Sequence, residues 1–219
     1  MSFGYQVLGF GSSASVGGID GEVIQSGIIL NNVSLSDTQA GDIIFLVTGT
    51  VGPSSVNTNI SGFTSLQNAV SSQEWQSGFR VTSRISFRIL AGNETAIDNT
   101  ITNGGGVFAQ WRFPKPVQSV SYADITGPTQ GAISGTAAAT THDGPVIRWL
   151  THGTYVSNPI GSLSGTLISK IDTVAQSNYG SIIIGQQPKI GTTASATNFV
   201  MSVPTFSGHC YYRTVLITL

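Results

Sequence analysis

Three histidines and one cysteine are the side chains with the most chemistry to offer here, and their spacing limits what they can do. His142, His152 and His209 lack the i, i+2 or i, i+4 spacing that presents two imidazoles to one metal ion. A hairpin around Asp143-Gly144 would let His142 and His152 meet beside Asp143, but a loop-borne trio of this kind is more often structural, and no metal is expected. Cys210 has no partner for an intramolecular disulfide. It follows His209 directly, and strand neighbours point to opposite faces, so the two cannot act as nucleophile and base. The stretch GSLSG (161–165) has Leu163 where a nucleophile elbow needs serine. Asp20, Asp124 and Asp172 are loose carboxylates, and none forms an evident acid/base dyad. No catalytic residue is assigned, and the chain reads as a non-enzyme without a cofactor.

The stretch YQVLGFGSSASVGG (5–18) places Gly9, Gly11 and Ala14 at the spacing G-x-G-x-x-A of a dinucleotide-binding turn. That turn needs a helix behind it, so that the pyrophosphate meets the helix N-terminus. The residues that follow, SVGGIDGEVI, have no helical period. A better reading is an extended arm over residues 1–20. Phe3, Tyr5, Val7, Leu8 and Phe10 are its candidate assembly contacts, forming a short strand that adds to a neighbour's sheet edge.

Arg80, Arg84 and Arg88 form a ladder on one face of RVTSRISFRIL (80–90), with steps of about 13 Å. Val81, Ser83, Ile85, Phe87 and Ile89 take the other face. The plain reading of the ladder is a solvated face whose arginines pair with Glu74, Glu94 or Asp98. An anion or glycan site, or a contact between subunits, are the alternatives. The three arginines therefore stand as candidate assembly contacts, and Arg112 could join them from another strand.

The arginines must be positioned by strands, because the apolar residues of this chain recur with period two. VFAQWRF (107–113) alternates Val107, Ala109, Trp111 and Phe113 with Phe108, Gln110 and Arg112, and Pro114 ends the run. Strands are also expected at 22–30, 42–50, 145–150, 181–185, 198–203 and 211–219. Asp20-Gly21, Asn103-Gly104 and Asp143-Gly144 are turn signals. The fold class that follows is all-β, an antiparallel β-sandwich of jelly-roll-like character with an extended N-terminal arm. Residues 21–219 form one sandwich domain with no strong internal repeat, and the Gly/Ala/Thr-rich stretch 126–144 reads as a long loop across it, a linker between two halves being the alternative.

Only 9% of the 219 residues are charged, against about 25% in ordinary globular proteins. The formal net charge of −1 leaves no basic footprint for nucleic acid. Apolar runs such as IIFLV (43–47) are too short to cross a bilayer, so no membrane insertion is expected. The start lacks the basic and apolar regions of an export signal, which implies synthesis without export. Trp75, Trp111 and Trp149, with Tyr179, Tyr211 and Tyr212, could stack on sugar rings. Trp111 and Trp149 sit in strand patterns and read as core, which leaves Trp75 and Tyr179 as candidate glycan contacts.

The blocks AGDIIFLVTGT, ISGFTSLQ, RISFRILAGNET and GVFAQWRF together resemble a loosely defined family of β-sandwich proteins of tailed bacteriophages. In that family a Gly-Asp strand, a G-[FW]-T-x-L turn, a strand ending in Ala-Gly and a strand ending near an arginine follow in order. The matching positions are Gly41-Asp42, Gly62 to Leu66, Ala91-Gly92 and Val107 to Phe113. The likeness spans roughly 37–115 and reaches the second half only through YYRTVLITL. The start FGYQVLGFGSS is similar to short segments that precede otherwise different virion proteins of marine and cyanobacterial phages. The resemblance implies a non-enzymatic virion protein, assembled in the host cytoplasm, as a tail or tail-appendage component; a capsid decoration protein is the alternative. Its implied partners are other virion proteins and further copies of itself, a trimer being favoured. A carbohydrate-binding module that contacts a host-surface glycan is the remaining reading.

Overall fold

The computed structural model describes residues 19–30, 32–52, 58–70, 78–98, 100–101, 104–153, 160–176, 180–202 and 208–219. These residues form strands and connections. The first half carries β1 (Glu22–Ile29), β2 (Val33–Ser34), β3 (Ile43–Gly52), β4 (Thr64–Val70), β5 (Arg80–Ile89), β6 (Ala96–Ile97) and β7 (Gly104–Arg112). The second half begins with β8 (Ser119–Gln130), β9 (Ile133–Ala137), β10 (Thr140–Thr141), β11 (Val146–Gly153) and β12 (Ile160–Leu163). It continues through β13 (Ile168–Gln176), β14 (Gly180–Gln187), β15 (Lys189–Ile190), β16 (Thr193–Ala194), β17 (Thr197–Ser202) and β18 (His209–Thr218).

Two five-stranded antiparallel sheets, ordered β1-β7-β3-β5-β4 and β13-β14-β11-β18-β8, pack face to face. Phe45, Trp111, Trp149, Ile182 and Val215 meet between them in the main core. The outer faces are covered as well. Ile60, Phe63, Leu90, Ile97 and Ile101 lie over Ile44, Leu46 and Phe108 on the first sheet. The small sheet β12-β17-β9 brings Leu163, Phe199 and Met201 over Leu150, Cys210 and Tyr212 on the second. Burial on both faces explains why β3, β11 and β14 are near-continuous apolar runs.

Each sheet is made by one contiguous half of the chain, and the two halves repeat one topology. Taking the five long strands of each half in chain order, both sheets run first, fifth, second, fourth, third. The ladders agree rung by rung. In β3, Ile43, Phe45, Val47 and Gly49 face Trp111, Ala109, Val107 and Gly105 of β7. In β11, Ile147, Trp149, Thr151 and Gly153 face Val215, Arg213, Tyr211 and His209 of β18. With the central strands so matched, the bulges coincide too. β1 shifts register after its Val23–Trp111 rung and β8 after its Tyr122–Val215 rung. β4 shifts between the rungs of Ser86 and Ile85, and β13 between those of Ile184 and Ile182. Since β3 lies over β11, β7 over β14 and β1 over β13, an approximate two-fold axis passes between the central strands.

The connections follow the same plan. Those before the second and fifth long strands pair with each other in both halves, as β2 with β6 and as β9 with β17. Three expectations are thereby corrected or refined. The sequence showed no strong repeat because matched positions keep little identity beyond Ile43/Ile147, Leu46/Leu150, Gly49/Gly153 and Ile85/Ile182. Residues 126–144 are not a long loop: they hold the end of β8, all of β9 and β10. Pro128 is tolerated because β8 is an edge strand, which leaves one side without ladder bonds. Asp143-Gly144 joins β10 to β11 without a hairpin, since β10 pairs with β16.

Candidate functional site

Of the arginine ladder, Arg88 has the carboxylate the sequence suggested: its Nη2 donates to Glu94 Oε1 at 2.9 Å. Burial acts to raise the Glu94 carboxyl, but the N–H groups of Ala91 and Gly92 and the nearby Arg88 hold it below its usual range. Arg84 donates instead to Thr58 Oγ1 at 3.4 Å, and burial lowers its pKa. Arg80 is half-buried at the start of β5. The face itself is not simply solvated, because Thr82 and Ser86, between the arginines, are buried. Phe3, Tyr5, Val7, Leu8, Phe10, Trp75 and Tyr179 lie outside the described residues. Trp111 and Trp149 are fully buried, as core residues should be.

Arg112 does not join the ladder. Its Nε and Nη2 bind the two oxygens of Asp42 at 3.0 and 2.9 Å, and its Nη1 reaches Asp37 at 2.9 Å. The hydrogen bonds to Asp42 raise the pKa of this guanidinium. Gln110 donates to the same Asp42 at 2.8 Å and accepts from Gln25 at 2.6 Å. The second half has a knot at the matching place. Arg148, fully buried at the rung matching Ile44, donates to Thr214 Oγ1 and Ser195 O, each at 2.6 Å. It also donates to Ala138 O at 3.2 Å and to Gln187 Oε1 at 3.3 Å, with Asp124 at 3.7 Å. Asp124 corresponds to Gln25 and Thr214 to Gln110, so both knots stand just past the first-strand bulge. Each arginine ties covering segments to the sheet beneath.

A second polar cluster escaped the sequence reading. Between the sheets, Ser83 Oγ lies 3.0 Å from His209 Nδ1 and 2.6 Å from the Tyr211 hydroxyl. A serine beside an imidazole has the composition of a nucleophile and base, but Ser83 and Tyr211 are fully buried and Tyr211 competes for the same oxygen. Burial pushes the His209 imidazole down to about 4, keeping it neutral. The signal in the sequence was Ser83 itself, the one polar residue on the apolar face of β5. His152 is fully buried on the opposite face of its sheet from this cluster, beside Cys210, and burial takes its imidazole down to about 3. Burial also raises the Cys210 thiol to about 12, so it stays protonated. His142 and His152 do not meet, because β11 runs between them, about 30 Å of extended chain. Among the described residues, no group of three or more His, Cys, Asp or Glu could hold a metal ion. No helix among them is long and apolar enough to cross a membrane.

At the other end of the sandwich, a cavity of about 590 Å³ opens between Ile19, Pro114, Lys115, Thr218 and the turn His142-Asp143-Gly144. That volume falls within the range of small-ligand and peptide sites. Its turn is fixed in advance. Lys189 Nζ donates to the carbonyls of His142, Asp143 and Gly144 at 2.7, 2.9 and 2.8 Å. His142 Nε2 bonds Ile217 O at 2.8 Å, and a Cβ on Gly144 would stand 1.9 Å from that same oxygen. Comparison with protein-family models, curated proteins and solved structures found no match to this chain.

Proposed function

We propose that this chain is a non-enzymatic structural protein of a tailed-bacteriophage virion, a tail or tail-appendage component that acts by assembly with other virion proteins. The observation that carries this reading is a surface poor in charge, on which Asp20, Glu22, Asp37, Asp98, Lys115, Asp143 and Lys170 are the exposed charged residues among those described. Arg88, Arg112 and Arg148 are held in ion pairs, Lys189 is capped by three carbonyls, and Arg213 is 97% hidden. What remains outside is largely Ser, Thr, Asn and Gly with apolar points such as Ile125 and Ile190. Such a surface can form broad protein contacts without desolvating ions. The family resemblance supports the same reading, with Arg80, Arg84 and the stretch 1–20 as assembly contacts in a homo-oligomer.

Purified particles of a phage encoding the chain test this. Mass spectrometry should find the protein at a fixed copy number, and immunogold labelling should place it on the tail. Label on the capsid would shift the reading to a decoration protein. Absence from washed particles, with the protein abundant in the lysate, would overturn both.

A further inference from the structure

Three polar side chains stand side by side on the outer face of the second sheet. In β11, Ile147 and Trp149 enter the main core while Leu150 joins the outer layer, so His152 also faces outward. Its rung partners are Cys210 of β18 and Ser181 of β14. The row is closed off from solvent, with Cys210 and His152 at 0% exposure and Ser181 at 1%. Among the described residues, both ring nitrogens of His152 and the Ser181 hydroxyl have no hydrogen-bond partner. A buried imidazole with neither nitrogen met is costly, and it points to a ligand.

We propose that this row is a binding site for one Cu(I) ion, held between the Cys210 sulfur and one ring nitrogen of His152. Directly opposed side chains on neighbouring strands have Cβ atoms about 4.5–5.5 Å apart, which lets a single ion bridge the two. Binding exchanges the S–H bond of Cys210 for a sulfur–copper bond; the proton leaves to solvent, and the copper keeps its oxidation state. The other ring nitrogen then carries the N–H and donates to Ser181, a contact of the kind that orients metal-bound imidazoles. Charge and ligand number select the ion. A thiolate with a monovalent cation is neutral, which suits the buried neighbours Leu150, Ile183, Phe199 and Met201, whereas a divalent ion would bury an unpaired positive charge. Structural Zn(II) takes four ligands, and among the described residues no third His, Cys, Asp or Glu joins this pair. Cu(I) favours soft sulfur and accepts two ligands. The row lies one rung from the end of β11 and from the starts of β14 and β18, so opening a single rung admits the ion. The inference goes beyond the structural role proposed above and does not depend on it.

Anaerobic titration of the full chain with Cu(I), kept reduced by ascorbate, tests this, with Ag(I) as a redox-inert probe. Native mass spectrometry should show one ion retained per chain, with the fold unchanged by circular dichroism. Cys210→Ala should abolish retention, and His152→Gln should weaken it more than about tenfold. Equal retention by His152→Gln would mean that the thiol alone captures the ion and would overturn the site. No retention by the unmodified chain, or retention only as it unfolds, would overturn it too. Should the variants fail to fold, X-ray absorption of the copper-loaded unmodified protein decides: sulfur and imidazole nitrogen together support the site, and a copper shell without imidazole overturns it.

Discussion

Along the fifth long strand of each half, matched rungs point very different side chains at the opposing sheet. The first half presents Gly105, Val107, Ala109 and Trp111, whereas the second presents His209, Tyr211, Arg213 and Val215. The two strands face different partners: β7 lies over β14 and β13, while the long side chains of β18 reach β5 and β4. Tyr211 crosses to Ser83 in the first sheet, and the Arg213 guanidinium reaches Gln67 there while lying 5.9 Å from the Tyr211 ring centre. Burial lowers the pKa of Arg213. The rung matching Ser83 in the second half is Gly180, so the second sheet facing a copy of itself would lack the hydroxyl that Tyr211 bonds across the core. A repeated skeleton thus carries two different inner faces.

The largest effect that could break this comparison is expected at the rung where Arg148 replaces the Ile44 of the first half. Arg148→Ala should cost about 3–5 kcal/mol in urea unfolding, because Thr214, Gln187 and two carbonyls lose their buried partner. A loss below about 1 kcal/mol would show that the second knot is dispensable. Acid should come next and act through the second half. His152 and His209 have folded pKa values below the unfolded value of about 6.5, so the unfolded chain binds more protons below that pH. Their stability contribution is complete above pH 6.5 and is lost as pH falls toward 4 and 3. Thermal melts from pH 7 to 4.5 should show a loss of roughly 2–4 kcal/mol, and His209→Gln should flatten part of that slope.

Arg112→Ala, in the half-exposed knot of the first half, should cost about 1.5–3 kcal/mol by the same urea measurement. A cost equal to that of Arg148 would erase the distinction between a sealed knot and an open one. The smallest effect is expected from Glu94→Gln, which neutralises the partner of Arg88 and leaves one oxygen in place of the two that accept from Ala91, Gly92 and Asn93. Unfolding should shift by less than about 1 kcal/mol, and less still in high salt.

The central strands were legible because burial on both faces leaves β3, β11, β14 and β18 rich in Ile, Val, Leu and aromatic residues. Among the edge strands of the two main sheets β1 was legible, at 22–30, but β4, β8 and β13 were not. β8 reads SVSYADITGPTQ and β9 reads ISGTA, polar and small enough to look like a loop, and only pairing to β18 and β17 makes them strands. The arginine ladder was visible as a pattern, but its separate fates were hidden, since Thr58 and Glu94 arrive from connections whose course no periodicity marks. The Ser83–His209–Tyr211 cluster joins residues more than a hundred positions apart, beyond any local spacing. The duplication was hidden for a different reason: register and bulges are properties of pairing, and they persist after side chains diverge.

Those bulges have one more effect. All four outermost strands of the two main sheets, β1, β4, β8 and β13, carry a register break, while the ladders among the inner strands run without one. A bulged rim twists away and offers no long straight row of free N–H and C=O groups. Copies of the molecule can therefore crowd together without their sheets zipping edge to edge into fibres.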